Sequence, residues 1–452
     1  MKDWGQQLKQ FLKIGIPIYG SQMSYMGMSV TDTIIAGQAS SRDLAGLAIG
    51  NALTLPIFFL LGGILFAVTP IVAHLFGEKK FEDIGEKVRQ ILWISIVIGL
   101  IGFLLYRNLS TFLPFFNIDP SISMISDGYL KALSYGFFAN MIFMCLRCYS
   151  EGMGLTLPVF FVAFAGMLLN IPLDIIFVYG YFGLPPMGGV GCGIATSINL
   201  FIGLFVLILI IIYKKEYAKT KLFWRFSKPT RQTSIELLRL GLPIGLGIFV
   251  EVSMFSGAAL ILASLGEGVV SAHTIAISIV SVLFMLPASI GHAAATIIGK
   301  LVGEKEFVRA KDAALIAILI CLLGSFFNTA ILLAFRGPLV GIYTGSREVF
   351  EIAYHLLMFG AIFQIMDGIQ MAALGSLRGY KDTFIPMCML IFSYWFLALP
   401  VGSVLTFYQV DGSVFGPSGI WIGMVIGLSI FSSMIVLRLR YVSKKFILGC
   451  NK

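Results

Sequence analysis

The chain has 452 residues, 58% hydrophobic and only 12% charged, with a mean hydropathy of +0.92 and a formal net charge of +9. Soluble globular domains carry about 25% charged residues, so this composition excludes an ordinary soluble protein and points to a polytopic membrane protein. The basic balance does not call for nucleic acid, because 27 of the 32 Lys and Arg residues fall in loops or at the flanking span ends on one side of the predicted spans, where anionic lipid headgroups lie.

Twelve apolar runs are long enough to cross about 30 Å of hydrocarbon as helices. In chain order they cover 14–36, 47–76, 90–107, 124–147, 157–180, 190–213, 240–264, 271–300, 312–335, 350–376, 384–407 and 416–437. The second and eighth are long, and are expected to tilt or to run past the membrane surface. No strand-like alternation repeats, which argues against a β-barrel. No short apolar segment followed by a small-residue cleavage site opens the chain, so no cleaved signal peptide is expected. The asymmetry of Lys and Arg predicts both termini in the cytoplasm.

The chain repeats itself. "KIGIPI" at 13–18 returns as "RLGLPI" at 239–244, and "IVAHLFGEKKFEDIGEK" at 71–87 as "IIGKLVGEKEFVRAKDA" at 297–313, both with an offset of 226 residues. A looser pair starts at 134 and 358. Each half then holds six spans and keeps the same orientation, so the halves are expected to be related by a pseudo-two-fold along the membrane normal. The expected division is 1–213, a basic cytoplasmic linker 214–239, and 240–452. Two like-oriented bundles suit alternating access, and the internal repeat leans away from a channel.

Carboxylates at membrane depth are expensive, so they should be few and functional. The candidates are Asp32, Glu151, Asp174, Glu251 and Asp367. At 1.5 Å rise per residue, Glu251 and Asp367 lie roughly 17 and 15 Å from the cytoplasmic ends of their spans, and Asp32 and Asp174 roughly 26 Å. Glu151 sits beside "SEGMG" and reads as a loop-edge acid. In "LLNIPLDIIFVYG", Asn170 lies four residues before Asp174 on one helix face, with Pro172 between them. A carboxylate, an amide oxygen and a carbonyl freed by proline make a cage for a hard cation. The alternative is that Asn170 only hydrogen-bonds Asp174 and packs a kinked helix. Asp32 could likewise be a helix-end acid in a wet vestibule. Glu251 and Asp367 have no Lys or Arg close by in sequence, so a proton, a metal cation or a cationic substrate has to neutralise them. Gln364, Asp367 and Gln370 share roughly one face of the tenth span, which reads as cavity-lining. The abundant Met and Phe suit cationic organic ligands, although most should face lipid or fill the core.

Other chemistry is poorly supported. Cys145 and Cys148 form a CxxC inside an apolar run and read as small buried residues, since nothing completes a zinc site. His292 reads as a core histidine. No phosphate loop, HExxH or GxSxG occurs, so neither nucleotide hydrolysis nor another enzymatic activity, nor a bound cofactor, is expected.

Taken with the twelve spans and the six-plus-six repeat, "TDTIIAGQASSRDLAGLAIGNAL", "GIFVEVSMF" and "FQIMDGIQMAALGSLRGYKDT" make the chain resemble the MATE family of multidrug and toxic compound extrusion proteins, nearest its NorM-like bacterial branch. The resemblance covers essentially the whole chain. It implies a monomeric antiporter of the bacterial inner membrane that exchanges inward-flowing H⁺ or Na⁺ for cationic amphipathic compounds. It implies coupling and substrate roles for Glu251 and Asp367, and a second site at Asp32, Asn170 and Asp174. Some NorM-like members carry a tyrosine, which helps to hold Na⁺, where this chain has Phe363. A proton site at Glu251 and Asp367, or a Na⁺ site in the first half, would accommodate that difference. Two other readings stand beside the antiporter. A lipid-linked sugar flippase of the same superfamily often has fourteen spans and a cationic cavity. A passive channel gives no reason for two acid sets.

Overall fold

The computed structural model describes residues 4–116, 119–408 and 415–449. Lys2 and Lys452, counted above among the loop cations, lie outside the described residues. In chain order the helices are α1 (Trp4–Ala39), α2 (Ser41–Leu65), α3 (Val68–Gly77), α4 (Phe81–Asn108), α5 (Pro120–Gly152), α6 (Leu157–Tyr179), α7 (Gly189–Tyr213), α8 (Lys215–Ala218), α9 (Arg231–Ala263), α10 (Glu267–Gly303), α11 (Phe307–Ala334), α12 (Arg336–Tyr343), α13 (Arg347–Gly379), α14 (Phe384–Ile391), α15 (Leu399–Phe407) and α16 (Pro417–Gly449). A 3₁₀ segment, Leu109–Phe116, follows α4, and a π-helical segment, Phe392–Ala398, joins α14 to α15. Among the described residues every regular element is helical.

Eleven stretches among the described residues are long and apolar enough to cross a membrane. The twelfth span is α1, long enough at 36 residues but diluted by polar positions such as Ser21, Gln22 and Asp32. Large apolar side chains including Leu104, Phe161, Leu323 and Phe327 lie exposed on helix surfaces. That is what lipid contact requires, since hydrocarbon is as apolar as a protein core. Several helices outrun their apolar stretches. α9 begins at Arg231 rather than near 240, and α16 continues to Gly449, because the basic ends keep the helical backbone bonds beyond the apolar length. The second run breaks at Phe66–Ala67 into α2 and α3, whereas the eighth is one helix despite Pro287. In the eleventh run Pro400 has no N–H for the carbonyl four residues earlier, that of Phe396, and the π-helical segment lies there.

The chain forms two compact units of six spans each. One takes residues Ile16–Gly245; the other takes α1 up to Gly15 together with the chain from Leu246 onward. In the first, α2, α4 and α7 pack around α5; in the second, α10, α11 and α16 pack around α13. Each unit also receives a helix segment from the other half of the chain. The start of α9 lies on α2 so closely that a Cβ at Gly241 would meet the Ile64 carbonyl oxygen at 2.2 Å. The start of α1 packs on α10, where a Cβ at Gly15 would meet Ile290 at 3.0 Å.

The repeat is present in the backbone bonds. At the end of α3 the amides of Glu78, Lys79 and Lys80 bond to His74, Phe76 and Leu75; at the end of α10 those of Glu304, Lys305 and Glu306 bond to Lys300, Val302 and Leu301. Lys79 and Lys305, 226 residues apart, both take left-handed φ, 58° and 62°. The same turn closes α5 at Gly154, φ 77°, and α13 at Lys381, φ 60°.

Candidate functional site

In the Ile16–Gly245 unit, α1, α6 and α7 bring polar side chains to one buried point. Asn170 donates through Nδ2 to Asp32 Oδ1 and to Asp174 Oδ2, each at 2.6 Å. Thr196 donates to Asp32 Oδ2 at 3.2 Å, and Asn199 donates through Nδ2 to Asn170 Oδ1 at 3.4 Å. Asn170 and Asp174 are fully buried and Asp32 nearly so. The two carboxyl groups share the Asn170 nitrogen as donor, and among the described residues Asp174 Oδ1 is buried with no donor. Two bare carboxylates bridged by one nitrogen in a low-dielectric interior repel strongly. The pair therefore calls for a shared proton or a bound cation. As seen, Asn170 turns its nitrogen to both acids; turned over, the same amide offers an oxygen beside the carboxylates and Thr196.

In the unit that begins at Leu246, Glu251 on α9 accepts from Gln370 Nε2 of α13 at 2.8 Å. Tyr394, on the π-helical segment, donates to Gln370 Oε1 at 2.6 Å. Asp367, one turn before Gln370 on α13, is buried, and among the described residues neither Asp367 nor Glu251 forms an ion pair. Phe363 is buried against Phe255, with ring centroids 6.0 Å apart. Gln364 does not join this group. Its Nε2 donates to the Val280 carbonyl of α10 at 2.9 Å, and its Oε1 is buried without a donor among the described residues. Arg378, near the end of α13, is buried, its Nε has no acceptor among the described residues, and its charge acts on Glu251.

The structure thus brings Asp32, Asn170 and Asp174 together, and Glu251 with Gln370, while Gln364 faces α10. Glu151 is not a loop-edge acid. It is 1% exposed and bonds Arg147 Nε at 2.7 Å one turn back on α5. The loop reading failed because the Gly-rich letters around it mark the turn after the helix, not the side on which Glu151 packs. Arg147, counted above as a loop cation, is buried with it beneath the ring of Tyr25. Thr196, Asn199, Tyr394 and Arg378 were not singled out from sequence. The polar cluster "ATSIN" inside the sixth span was a usable signal for the first two; Tyr394 in "FSYWFLALP" looks like any apolar run.

A family model described as MatE matches residues 17–176 and 243–404. The two matches begin 226 residues apart, the offset of the internal repeat. Multidrug resistance protein NorM of Photobacterium profundum is 34% identical over 442 residues, covering 98% of this chain and 97% of that protein. Multidrug resistance protein PmpM of Pseudomonas aeruginosa is 36% identical, covering 98% and 93%. Among solved structures, that of the eukaryotic MATE transporter AtDTX14 superposes with a TM-score of 0.88 at 19% identity, covering 98% of each chain.

Proposed function

The chain belongs to the MatE family, and from that premise we propose that it is a multidrug efflux transporter of the bacterial inner membrane, an antiporter that exchanges H⁺ or Na⁺ for cationic amphipathic compounds by alternating access. The relatives named for multidrug resistance support the efflux reading. The observation that carries the exchange reading is that each compact unit holds membrane-depth carboxyls that form no ion pair among the described residues: Asp32 with Asp174, and Glu251 with Asp367. A carboxylate in that setting is neutralised by the coupling cation or by the cationic drug, not by both at once. That exclusivity is what exchange needs, since each ligand shifts the conformational equilibrium only by its differential binding.

The two sites differ in donor chemistry. Asp32, Asp174, Thr196 and a turned-over Asn170 present hard oxygens, which suit Na⁺. Glu251 and Asp367 lack a hydroxyl at Phe363 and suit a proton. Proteoliposomes loaded with a fluorescent cationic dye, with a Na⁺ or a proton gradient imposed alone, test the reading. Glu251→Gln and Asp367→Asn are each expected to abolish gradient-driven efflux while the protein still reaches the membrane. Normal efflux by both variants sinks the role given to this pair.

A further inference from the structure

The π-helical segment Phe392–Ala398 holds α9 beside Glu251 in two ways. Trp395 Nε1 donates to Ser253 Oγ at 3.2 Å, two residues past Glu251. Tyr394 reaches Glu251 itself through Gln370. Gln370 and Tyr394 are both 0% exposed, whereas Glu251 keeps an accessible edge, so the chain of bonds runs from a reachable carboxyl to a sealed hydroxyl. Its far end is clamped. The Tyr394 ring meets Phe431 of α16 edge-on at 5.8 Å, and a Cβ at Gly427 of α16 would lie 2.7 Å from the Ser393 carbonyl oxygen.

A glutamine between a carboxyl and a tyrosine hydroxyl has two consistent hydrogen-bond arrangements. In the one seen, the Tyr394 O–H donates to Gln370 Oε1 and Gln370 Nε2–H donates to Glu251, an arrangement that suits an ionised carboxylate. When Glu251 takes a proton, its O–H becomes a donor and needs an acceptor. With the amide turned over, Glu251 O–H donates to Gln370 Oε1 and Gln370 Nε2–H donates to the Tyr394 oxygen. The one proton gained sits on Glu251, and no bond other than hydrogen bonds changes. The Tyr394 hydrogen has then lost Gln370 as acceptor, and a buried hydroxyl hydrogen left without an acceptor is costly. The π-helical segment around Tyr394 therefore has a different preferred geometry in the two states.

We propose that Tyr394 is a positioning residue that, through the Gln370 amide, links the charge state of Glu251 to the π-helical segment of the eleventh span. The other ionisable groups facing this chain are Arg378 and Asp367 of α13; Cys321 of α11 faces Asp367. None of them hydrogen-bonds Gln370 or Tyr394 among the described residues.

The proposal rests on Glu251 being a coupling group, and the experiment separates the two claims. Dye efflux from proteoliposomes is followed across pH for the unmodified protein, Tyr394→Phe, Gln370→Leu and the double variant. Phenylalanine keeps the ring and its packing and removes only the hydroxyl. The Tyr394–Gln370 bond that it removes joins two neutral groups and is worth up to about tenfold. Tyr394→Phe is therefore expected to move the pH midpoint by up to about one unit to the alkaline side, because the Gln370 donor is no longer held toward the carboxylate. In the Gln370→Leu background it is expected to add no further shift. An unmoved midpoint in Tyr394→Phe, or a full second shift in the double variant, overturns the relay. If Glu251→Gln leaves efflux intact, the coupling reading falls and the relay with it. If Glu251→Gln stops efflux while Tyr394→Phe and Gln370→Leu leave the midpoint in place, only the relay falls. Should a variant lose transport, the pH dependence of Trp395 fluorescence, read with Trp4, Trp93, Trp224 and Trp421 replaced by phenylalanine, follows the same segment directly: it is expected with Tyr394 in place and lost in Tyr394→Phe, and its persistence there counts against the relay.

Discussion

Gly375→Ala is the most exacting test of how α13 is held. Gly375 faces Gly291 of α10 so closely that an added Cβ would sit 2.1 Å from the Gly291 carbonyl oxygen, 2.6 Å from its carbon and 2.7 Å from its Cα. All three are backbone atoms, so no rotamer change relieves the clash. The contact has to open from 2.1 Å to the 3.4 Å where ordinary van der Waals contact begins. Overpacking of this kind costs about 1–3 kcal/mol or more, and each kcal/mol lowers a melting midpoint by roughly 2–4 °C for a unit of this size. The shift also reaches the site. Gln370 lies five residues before Gly375 on the same helix, and its 2.8 Å bond to Glu251 has little slack. Gly375→Ala is therefore expected to lower the melting midpoint of the detergent-purified protein by several degrees and to slow dye efflux. Gly247→Ala is the control. It lies one turn before Glu251 on α9 with nothing within 4 Å of its would-be Cβ. Alanine in a helix interior there is expected to be neutral or to stabilise by about 0.5–1 kcal/mol. Equal melting midpoints for the two variants would refute the reasoning, since only one of them has backbone in its way.

Two further changes probe features outside the proposed sites. Arg147→Leu leaves Glu151 buried without its partner, which should cost about 3–5 kcal/mol; adding Glu151→Leu should recover much of that, and a double variant no more stable than the single would show that the pair is not what the site depends on. Lys305→Gly puts glycine at φ 62°, as the related turn already has at Gly154. A side chain in left-handed backbone costs about 1–2 kcal/mol, so the melting midpoint should rise by a few degrees, and a fall would mean that the Lys305 side chain contributes more than its backbone strain costs.

The spans, their number and the duplication are legible in the letters because each rests on a one-dimensional constraint. The thickness of hydrocarbon fixes the length of an apolar run, and a repeat needs only a constant offset, which the turns at Lys79 and Lys305 reproduce in three dimensions. The acids were equally visible, since a charge in an apolar run stands out. What each acid meets was not. Asn170 and Asp174 are one turn apart and predictable as neighbours, but Asp32 joins them across 138 residues. Glu151 looked like a loop acid and is a buried ion-pair partner, and Tyr394 looked like apolar filler and bonds Gln370. A soluble helix announces its inner face by periodicity. A helix in lipid is apolar on both faces, so its rotation is not written in its composition. Only packing sets it, through contacts such as Gly375 on Gly291, and a rotation of one residue decides whether a carboxyl faces an amide, a cation or lipid.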